Sequence, residues 1–166
     1  MVSESLFDKP PPYKYLLDTS AAISQKDKRE KHPRDINVTL WQNIDQLIGA
    51  KVIVSCSEVS EEINQKDDAI NSWFRNVGCV CLPIDDNVQL RVTAILEKYP
   101  GIVDFRKNKS SSSGDVFVIA TAMKWHLTII TLEDDTCPHK IPMVCKALEQ
   151  DCVDIYGLCK REGWKF

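Results

Sequence analysis

Residues 114–133, with the sequence GDVFVIATAMKWHLTIITLE, carry the signals that decide the fold. Val116–Trp125 is almost entirely apolar and predicts a buried helix, in which the small residues Ala120 and Ala122 would allow close packing against a sheet. Leu127–Thr131 follows almost at once, as a solid apolar run typical of a strand buried on both faces. A buried helix that leads directly into a buried strand is the repeating unit of an α/β fold with parallel strands.

The same alternation extends over the rest of the chain. Further strands are predicted at Tyr13–Leu17, Val52–Val54, Cys79–Leu82 and near Cys152–Val153. Further helices are predicted at Val38–Ile48, from Ser55 onward, at Ala69–Val77, Asn87–Tyr99 and Met143–Leu148, and from the last strand to about Arg161. The helix at Ser55 is expected because Ser55 and Glu58 match a capping box.

We therefore expect an α/β fold, a three-layer α/β/α sandwich with a central, mostly parallel sheet of four to five strands. Residues 1–12 end in a triple proline and are predicted to be a disordered lead-in. Residues 13–166 are predicted to form a single domain.

Composition limits the functional classes. The net charge of −3 gives no overall basic signature of nucleic-acid binding, so such binding would need a local basic patch or bound cations. No run of about 18 apolar residues occurs and the N-terminus is unlike a signal peptide, so we expect a cytoplasmic protein without a membrane span. Seven cysteines, an odd number, predict free thiols in that compartment.

Four acidic residues stand where a predicted strand ends or a predicted helix begins: Asp18, Glu62, Asp115 and Glu133. Because the carboxyl ends of parallel strands share one edge of a sheet, we expect these carboxylates to lie close together. Clustered carboxylates raise one another's pKa and offer the oxygen ligands that Mg²⁺ or Mn²⁺ prefers. A helix N-cap or first-turn position is an alternative interpretation of Asp18 and Asp115. The whole pattern indicates metal-dependent cleavage of phosphodiester bonds.

Helical geometry separates the neighbouring acids of the third predicted helix. Val59 and Ile63 are four residues apart and define its buried face. Glu62 lies beside that face, whereas Glu61 lies on the far side and is expected to be a solvated charge. Glu58 is the one serious competitor of Glu62, since the two stack one turn apart.

Several segments together resemble the PIN domain family of ribonucleases, and within it the VapC-like endoribonuclease toxins. These segments are the first strand with Asp18-Thr19-Ser20, Glu62-Ile63 on a helix, Asp115–Ala122 and Ile129–Glu133. The closing part of the chain, including His139–Cys145 and Gly163–Phe166, resembles an uncharacterised PIN-like subfamily. The resemblance covers about residues 13–166 and departs at Glu133, where many family members carry Asp.

This resemblance implies a metal-dependent endoribonuclease that leaves 5′-phosphate and 3′-hydroxyl ends and serves as the toxin of a toxin–antitoxin pair. Asp18, Glu62, Asp115 and Glu133 would be both its catalytic residues and its Mg²⁺ or Mn²⁺ ligands. Its partners would be RNA, a small antitoxin protein and, in a homodimer, a second copy of the chain. The alternative is a catalytically silent PIN-like module that binds RNA or a protein.

Substrate contacts are expected at Thr19, Thr131, Arg106, Lys107 and Lys109. The Thr131 hydroxyl could be a ligand or orient a metal-bound water. The three basic residues flank the acidic site, where they could contact RNA. A solvated basic loop is an equally good interpretation of them.

Overall fold

The computed structural model of the protein describes residues 11–102 and 113–166. Its strands are β1 (Tyr15–Leu17), β2 (Ile53–Cys56), β3 (Cys81–Leu82), β4 (Thr128–Ile130) and β5 (Cys152–Val153). Its helices are α1 (Thr19–Ile23), α2 (Val38–Gly49), α3 (Ser57–Lys66), α4 (Asp68–Asn76), α5 (Asp86–Lys98), α6 (Ser113–Trp125), α7 (Ile141–Leu148) and α8 (Ile155–Glu162). The five strands form one sheet, all parallel and flanked by helices. The predicted three-layer α/β/α architecture is confirmed.

The strand order β3-β2-β1-β4-β5 creates a switch point beside the central strand. From β1 the chain first adds β2 and β3 on one side and then crosses to add β4 and β5 on the other. Leu17 pairs with Ile130, and the backbone N–H of Asp18 donates to the Ile130 carbonyl at 3.0 Å, so β1 and β4 end together. In open α/β sheets, ligands bind at such a point, outside the carboxyl ends of the strands.

Helix α6 occupies the centre of the molecule. It packs against β1, β2 and β4 and also against α3 and α5. Its buried apolar residues are Val116, Val118, Ile119, Ala120 and Ala122. A helix that is apolar all round is expected in such a position. The first turn of α6 therefore carries Asp115 into a place where it is only 5% exposed.

The capping box predicted at Ser55 is wrong. Ser55 lies inside β2, fully buried, and its hydroxyl donates to the Leu17 carbonyl at 2.7 Å. Helix α3 begins at Ser57 instead, after Cys56, whose side chain makes no capping bond. The strand continues past the predicted end because the Ser55 N–H pairs with the Val80 carbonyl at 2.8 Å, next to β3.

Some predicted features lie outside the described residues, namely residues 1–10 of the lead-in and the basic residues Arg106, Lys107 and Lys109. All seven cysteines are described, and all are free thiols, as predicted. Among the described helices, none combines the length and the apolar character needed to cross a membrane.

Candidate active site

Asp18 follows β1 and is 3% exposed. It occupies the N-cap position of α1, yet its side chain makes no capping hydrogen bond. Its Oδ2 accepts hydrogen bonds from Ser20 Oγ at 2.8 Å and from Thr131 Oγ1 at 2.9 Å. Burial raises the pKa of Asp18 to about 6, and the charge of Glu133 adds to the effect. The N-cap interpretation thus accounts for the position of Asp18 and leaves its side-chain contacts unexplained.

Asp115 is the carboxylate of the site whose burial is least offset by hydrogen bonds. Within the part of the chain that the structure describes, its buried Oδ2 has no hydrogen-bond partner. Burial, together with the charges of Glu133 and Asp18, raises the pKa of Asp115 to about 9, and Lys140 opposes the shift. A buried polar atom without a partner costs about 1–3 kcal/mol, and more when it is charged. Asp115 therefore destabilises the protein as it stands.

Glu133 joins the site from the segment after β4. Its Oε2 accepts a hydrogen bond from the backbone N–H of Ile141, the first residue of α7, at 3.1 Å. Its own N–H donates to Thr131 Oγ1 at 3.2 Å, and that hydroxyl donates in turn to Asp18. Thr131 therefore links the segment carrying Glu133 to Asp18. The charge of Glu133 raises the pKa of both Asp18 and Asp115, so the three carboxylates form one electrostatic cluster.

Glu62 approaches the same place from α3. Its Oε2 accepts a hydrogen bond from Thr19 Oγ1 at 3.1 Å, and its Oε1 forms an ion pair with Lys66 at 2.6 Å. A Cβ atom built on Gly114 would lie 3.1 Å from Glu62 Oε2, which shows how closely Glu62 approaches the first turn of α6. Glu61 is exposed, as helical geometry predicted.

The structure thus brings all four predicted acids to the switch point, where Asp18, Glu62 and Glu133 accept hydrogen bonds. Asp115 Oδ2 has no hydrogen-bond partner among the described residues. Among residues 11–102 and 113–166, no three His, Cys, Asp or Glu side chains stand in an arrangement that could hold a metal ion. Glu62 is paired with Lys66, and Glu133 accepts a hydrogen bond from the Ile141 N–H. A shared ion would require at least one of these side chains to exchange its present partner.

The predicted substrate contacts Thr19 and Thr131 are each only 3% exposed. Their hydroxyls donate to Glu62 and Asp18, so in this structure they orient carboxylates. Sequence reasoning missed Ser20, which contributes as much as Thr131. Its Oγ donates to Asp18 and accepts the backbone N–H of Leu132 at 3.0 Å. The signal was available, since a Ser two residues after an acid at a strand end is well placed to bond it.

Lys140 was also missed. It stands at the N-cap position of α7, immediately before Ile141, and its positive charge lowers the pKa of Asp115. The start of α7 therefore brings a cation and a backbone N–H to the acidic cluster. No local pattern marks Lys140, because its approach to Asp115 depends on how α7 packs against α6.

Comparison with known proteins places the chain in one family. Residues 15–166 match the family model described as Domain of unknown function (DUF4411). The chain belongs to the DUF4411 family. None of the curated proteins matches it. The matched residues include all five strands and all four carboxylates, so the switch point lies wholly inside the DUF4411 domain.

The donor set of this DUF4411 domain suits a small divalent cation. Asp18, Glu62, Asp115 and Glu133 offer carboxylate oxygens, the ligands that Mg²⁺ and Mn²⁺ prefer. Asp115 Oδ2, which has no hydrogen-bond partner in residues 11–102 and 113–166, offers one oxygen without the loss of a bond seen there. A bound cation would reverse the repulsion that raises the pKa of Asp18 and Asp115. The chemistry of these donors therefore suits the predicted metal, while their positions among the described residues do not form a site for it.

Proposed function

We propose that this protein is a metal-dependent endoribonuclease that hydrolyses RNA phosphodiester bonds at the switch point between β1 and β4. One observation carries the proposal, the buried Asp115, whose Oδ2 has no hydrogen-bond partner among the described residues and which lies beside two further carboxylates. A carboxylate kept at such a cost, where α/β folds bind ligands, is a strong candidate for a functional residue. The resemblance to PIN domains supports RNA as the substrate.

The four carboxylates and the Thr131 hydroxyl would have different roles. Asp18, Asp115, Glu62 and Glu133 would hold Mg²⁺ or Mn²⁺. The ion, when bound, would supply Lewis-acid polarisation of the phosphoryl group and a water of lowered pKa. The hydroxyl of Thr131 would keep Asp18 oriented, which it already does at 2.9 Å.

Proton uptake by the cluster gives this proposal a pH dependence. Because the pKa of Asp115 is raised to about 9 and that of Asp18 to about 6, the metal-free cluster holds a proton on Asp115 at neutral pH and a second on Asp18 in more acidic solution. Binding of a cation would release them, so metal affinity should rise with pH. Lys140, which already offsets part of the negative charge at Asp115, would be placed to attract a phosphate.

The decisive experiment is cleavage of a mixed pool of single-stranded RNAs by the purified protein with Mg²⁺, Mn²⁺ or EDTA. Asp115→Asn should abolish a cleavage that depends on metal. The matched control is Asp86→Asn, because Asp86 is an exposed first-turn acid of a helix of the same length, 13 residues. If Asp115→Asn cleaves as fast as the wild type, the active-site assignment is refuted. If the wild type does not cleave under any metal condition, the proposed activity is refuted.

We further propose that the ribonuclease acts as the toxin of a toxin–antitoxin pair, a role that rests on the resemblance to VapC-like proteins. Induced expression in a bacterial host should arrest growth, and Asp115→Asn should remove the arrest. Co-expression of a small protein encoded beside the gene should restore growth. Normal growth with active wild-type enzyme would separate the toxin role from the nuclease activity and refute only the former.

A second candidate function is that of a catalytically silent module that binds RNA or a protein. The observation in its favour is that the described carboxylates do not stand together as a ready metal site, with Glu62 paired to Lys66. Thermal melts with and without millimolar Mg²⁺ or Mn²⁺ distinguish the two functions. If the protein is the nuclease, metal should raise the melting temperature of the wild type and not that of Asp115→Asn. A silent module should melt at the same temperature in both conditions.

A further inference from the structure

A cavity of about 590 Å³ opens beside the carboxylate cluster, at the same edge of the sheet. Thr131 and Glu133 belong to the cluster and also line this cavity. On its other side are Lys31, His32 and Tyr156, the last from the first turn of α8. The volume lies within the range of small-molecule sites, about 300–1,000 Å³.

We propose that this cavity is a subsite for one unpaired nucleobase of the RNA, stacked on Tyr156. The proposal deepens the proposed ribonuclease function and rests on it, since it names single-stranded RNA as the substrate. Aromatic side chains bind unpaired bases by stacking, whatever the sequence.

Tyr156 has the exposure and the support that such stacking requires. It is 66% exposed, so a face of its ring is open to a ligand. His32, only 4% exposed, packs edge to face against the Tyr156 ring. The two ring centroids are 5.1 Å apart and the planes are inclined by 73°. This edge-to-face contact favours one orientation of the Tyr156 ring, which lowers the side-chain entropy lost when a base stacks on it.

The charges around the cavity favour a base over a phosphate. Four acids line it, Glu133, Asp134, Asp135 and Asp154, against the single exposed Lys31. A phosphate would be repelled there, whereas a neutral group that presents N–H donors would be attracted to carboxylate oxygens. The neighbouring cluster would accept the phosphate of the same nucleotide only with a cation bound, as the proposed function requires.

The acidic rim also sets a preference among bases. Cytosine, adenine and guanine carry an exocyclic amine that donates hydrogen bonds, and carboxylates accept them, as Asp and Glu do from the cytosine amine. Uracil has a carbonyl oxygen where cytosine has its amine, and that oxygen would face the acids unfavourably. The subsite should therefore prefer cytosine over uracil, two bases of almost the same shape.

The test is an NMR titration of the full-length protein with uncharged nucleosides, cytidine and uridine, in EDTA. No cleavage step is involved, so the result does not depend on whether the protein is a nuclease. Cytidine should bind more tightly than uridine. Tyr156→Ala and Tyr156→Leu should weaken cytidine binding by about 5- to 150-fold, the value of one base–aromatic stack. Tyr156→Phe should bind as the wild type does.

The control is Phe166→Ala. Phe166 is an exposed aromatic residue (72%) that lines the neighbouring groove and not this cavity, whereas Tyr156 lines both. Unchanged cytidine binding in Phe166→Ala supports the cavity as the site. The absence of nucleoside binding, wild-type affinity in Tyr156→Leu, or an equal loss in Phe166→Ala would each overturn the subsite. Equal affinity for cytidine and uridine would overturn the role of the acidic rim.

RNA cleavage assays of the wild type and the Tyr156 variants distinguish the subsite proposal from the proposed nuclease function. If the protein cleaves RNA but the Tyr156 variants bind and cleave as the wild type does, only the subsite fails. If it cleaves no RNA but binds cytidine through Tyr156, only the nuclease function fails.

Discussion

Asp18→Asn offers the sharpest test of the carboxylate cluster, because it should stabilise the metal-free protein while it destroys the site. Burial raises the pKa of Asp18 from 3.8 to about 6. The folded chain therefore binds this proton more tightly than the unfolded chain does. Its contribution to stability is greatest below pH 3.8 and is lost as the pH rises through about 6. At neutral pH, the charged side chain costs the folded state about 3 kcal/mol.

An asparagine at this position carries no charge and escapes that cost. It can still accept the hydrogen bonds of Ser20 and Thr131 through its amide oxygen, but its buried NH₂ group would lack a ready partner at a cost of about 1–3 kcal/mol. The net gain should be about 1 kcal/mol at pH 7.5. For a chain of 166 residues this is a rise in Tm of roughly 2–4 °C. The gain should disappear near pH 4, where the wild-type carboxyl is protonated.

The assay is a series of thermal or urea melts of both proteins in EDTA between pH 4 and pH 8. Saturating Mg²⁺ or Mn²⁺ should reverse the order, since a ligand at about 100 times its Kd adds about 2.7 kcal/mol and only the wild type keeps the full site. Asp67→Asn is the control of opposite sign. A hydrogen bond from Lys26 lowers the pKa of Asp67, so this variant should be less stable at neutral pH, and the difference should shrink in acid. If Asp18→Asn is less stable than the wild type at every pH in EDTA, the carboxylate is structural and the reasoning is refuted.

Three further outcomes are expected. Glu62→Gln should abolish RNA cleavage and the stabilisation by metal while Glu61→Gln changes neither, as initial rates and melts will measure, and equal damage would refute the helical assignment of these acids. Ser55→Ala should lower the free energy of unfolding by about 1 kcal/mol in urea titrations, because the hydroxyl donates a buried hydrogen bond to Leu17, and an unchanged midpoint would contradict that role. Thiol titration of the denatured protein without reductant should count seven thiols, and a lower count would reveal a disulfide that the fold does not contain.

Sequence patterns predicted best those helices and strands whose structure depends mainly on their own residues. Helix α6 and strand β1 are buried almost all round, so their apolar composition alone identifies them. The choice of Glu62 over Glu61 also follows from one helix, through its angle to Val59 and Ile63.

The features that could not be predicted depend on distant segments. Ser55 fits a local capping rule, but pairing with β3 extends β2 past it. His32 meets Tyr156 although 124 residues separate them (156 − 32), and no local pattern brings a loop and the start of α8 together. Lys140 reaches the cluster by the same kind of long-range packing. Tertiary contacts of this type override local preferences.

At the carboxylate cluster, burial in the apolar core conflicts with the need of the carboxyl groups for solvation. Every apolar neighbour on α6 stabilises the core, whereas Asp115 brings a poorly solvated carboxyl to the same helix. Because its pKa is raised to about 9, the Asp115 carboxyl is protonated and uncharged at neutral pH in the metal-free protein. A costly buried carboxyl at the point where parallel sheets bind ligands is the feature from which the ligand-binding proposal follows. Asp115 combines a cost to folding stability with a position at the switch point of the sheet. This combination is the physical reason to look for a cation and a phosphate there.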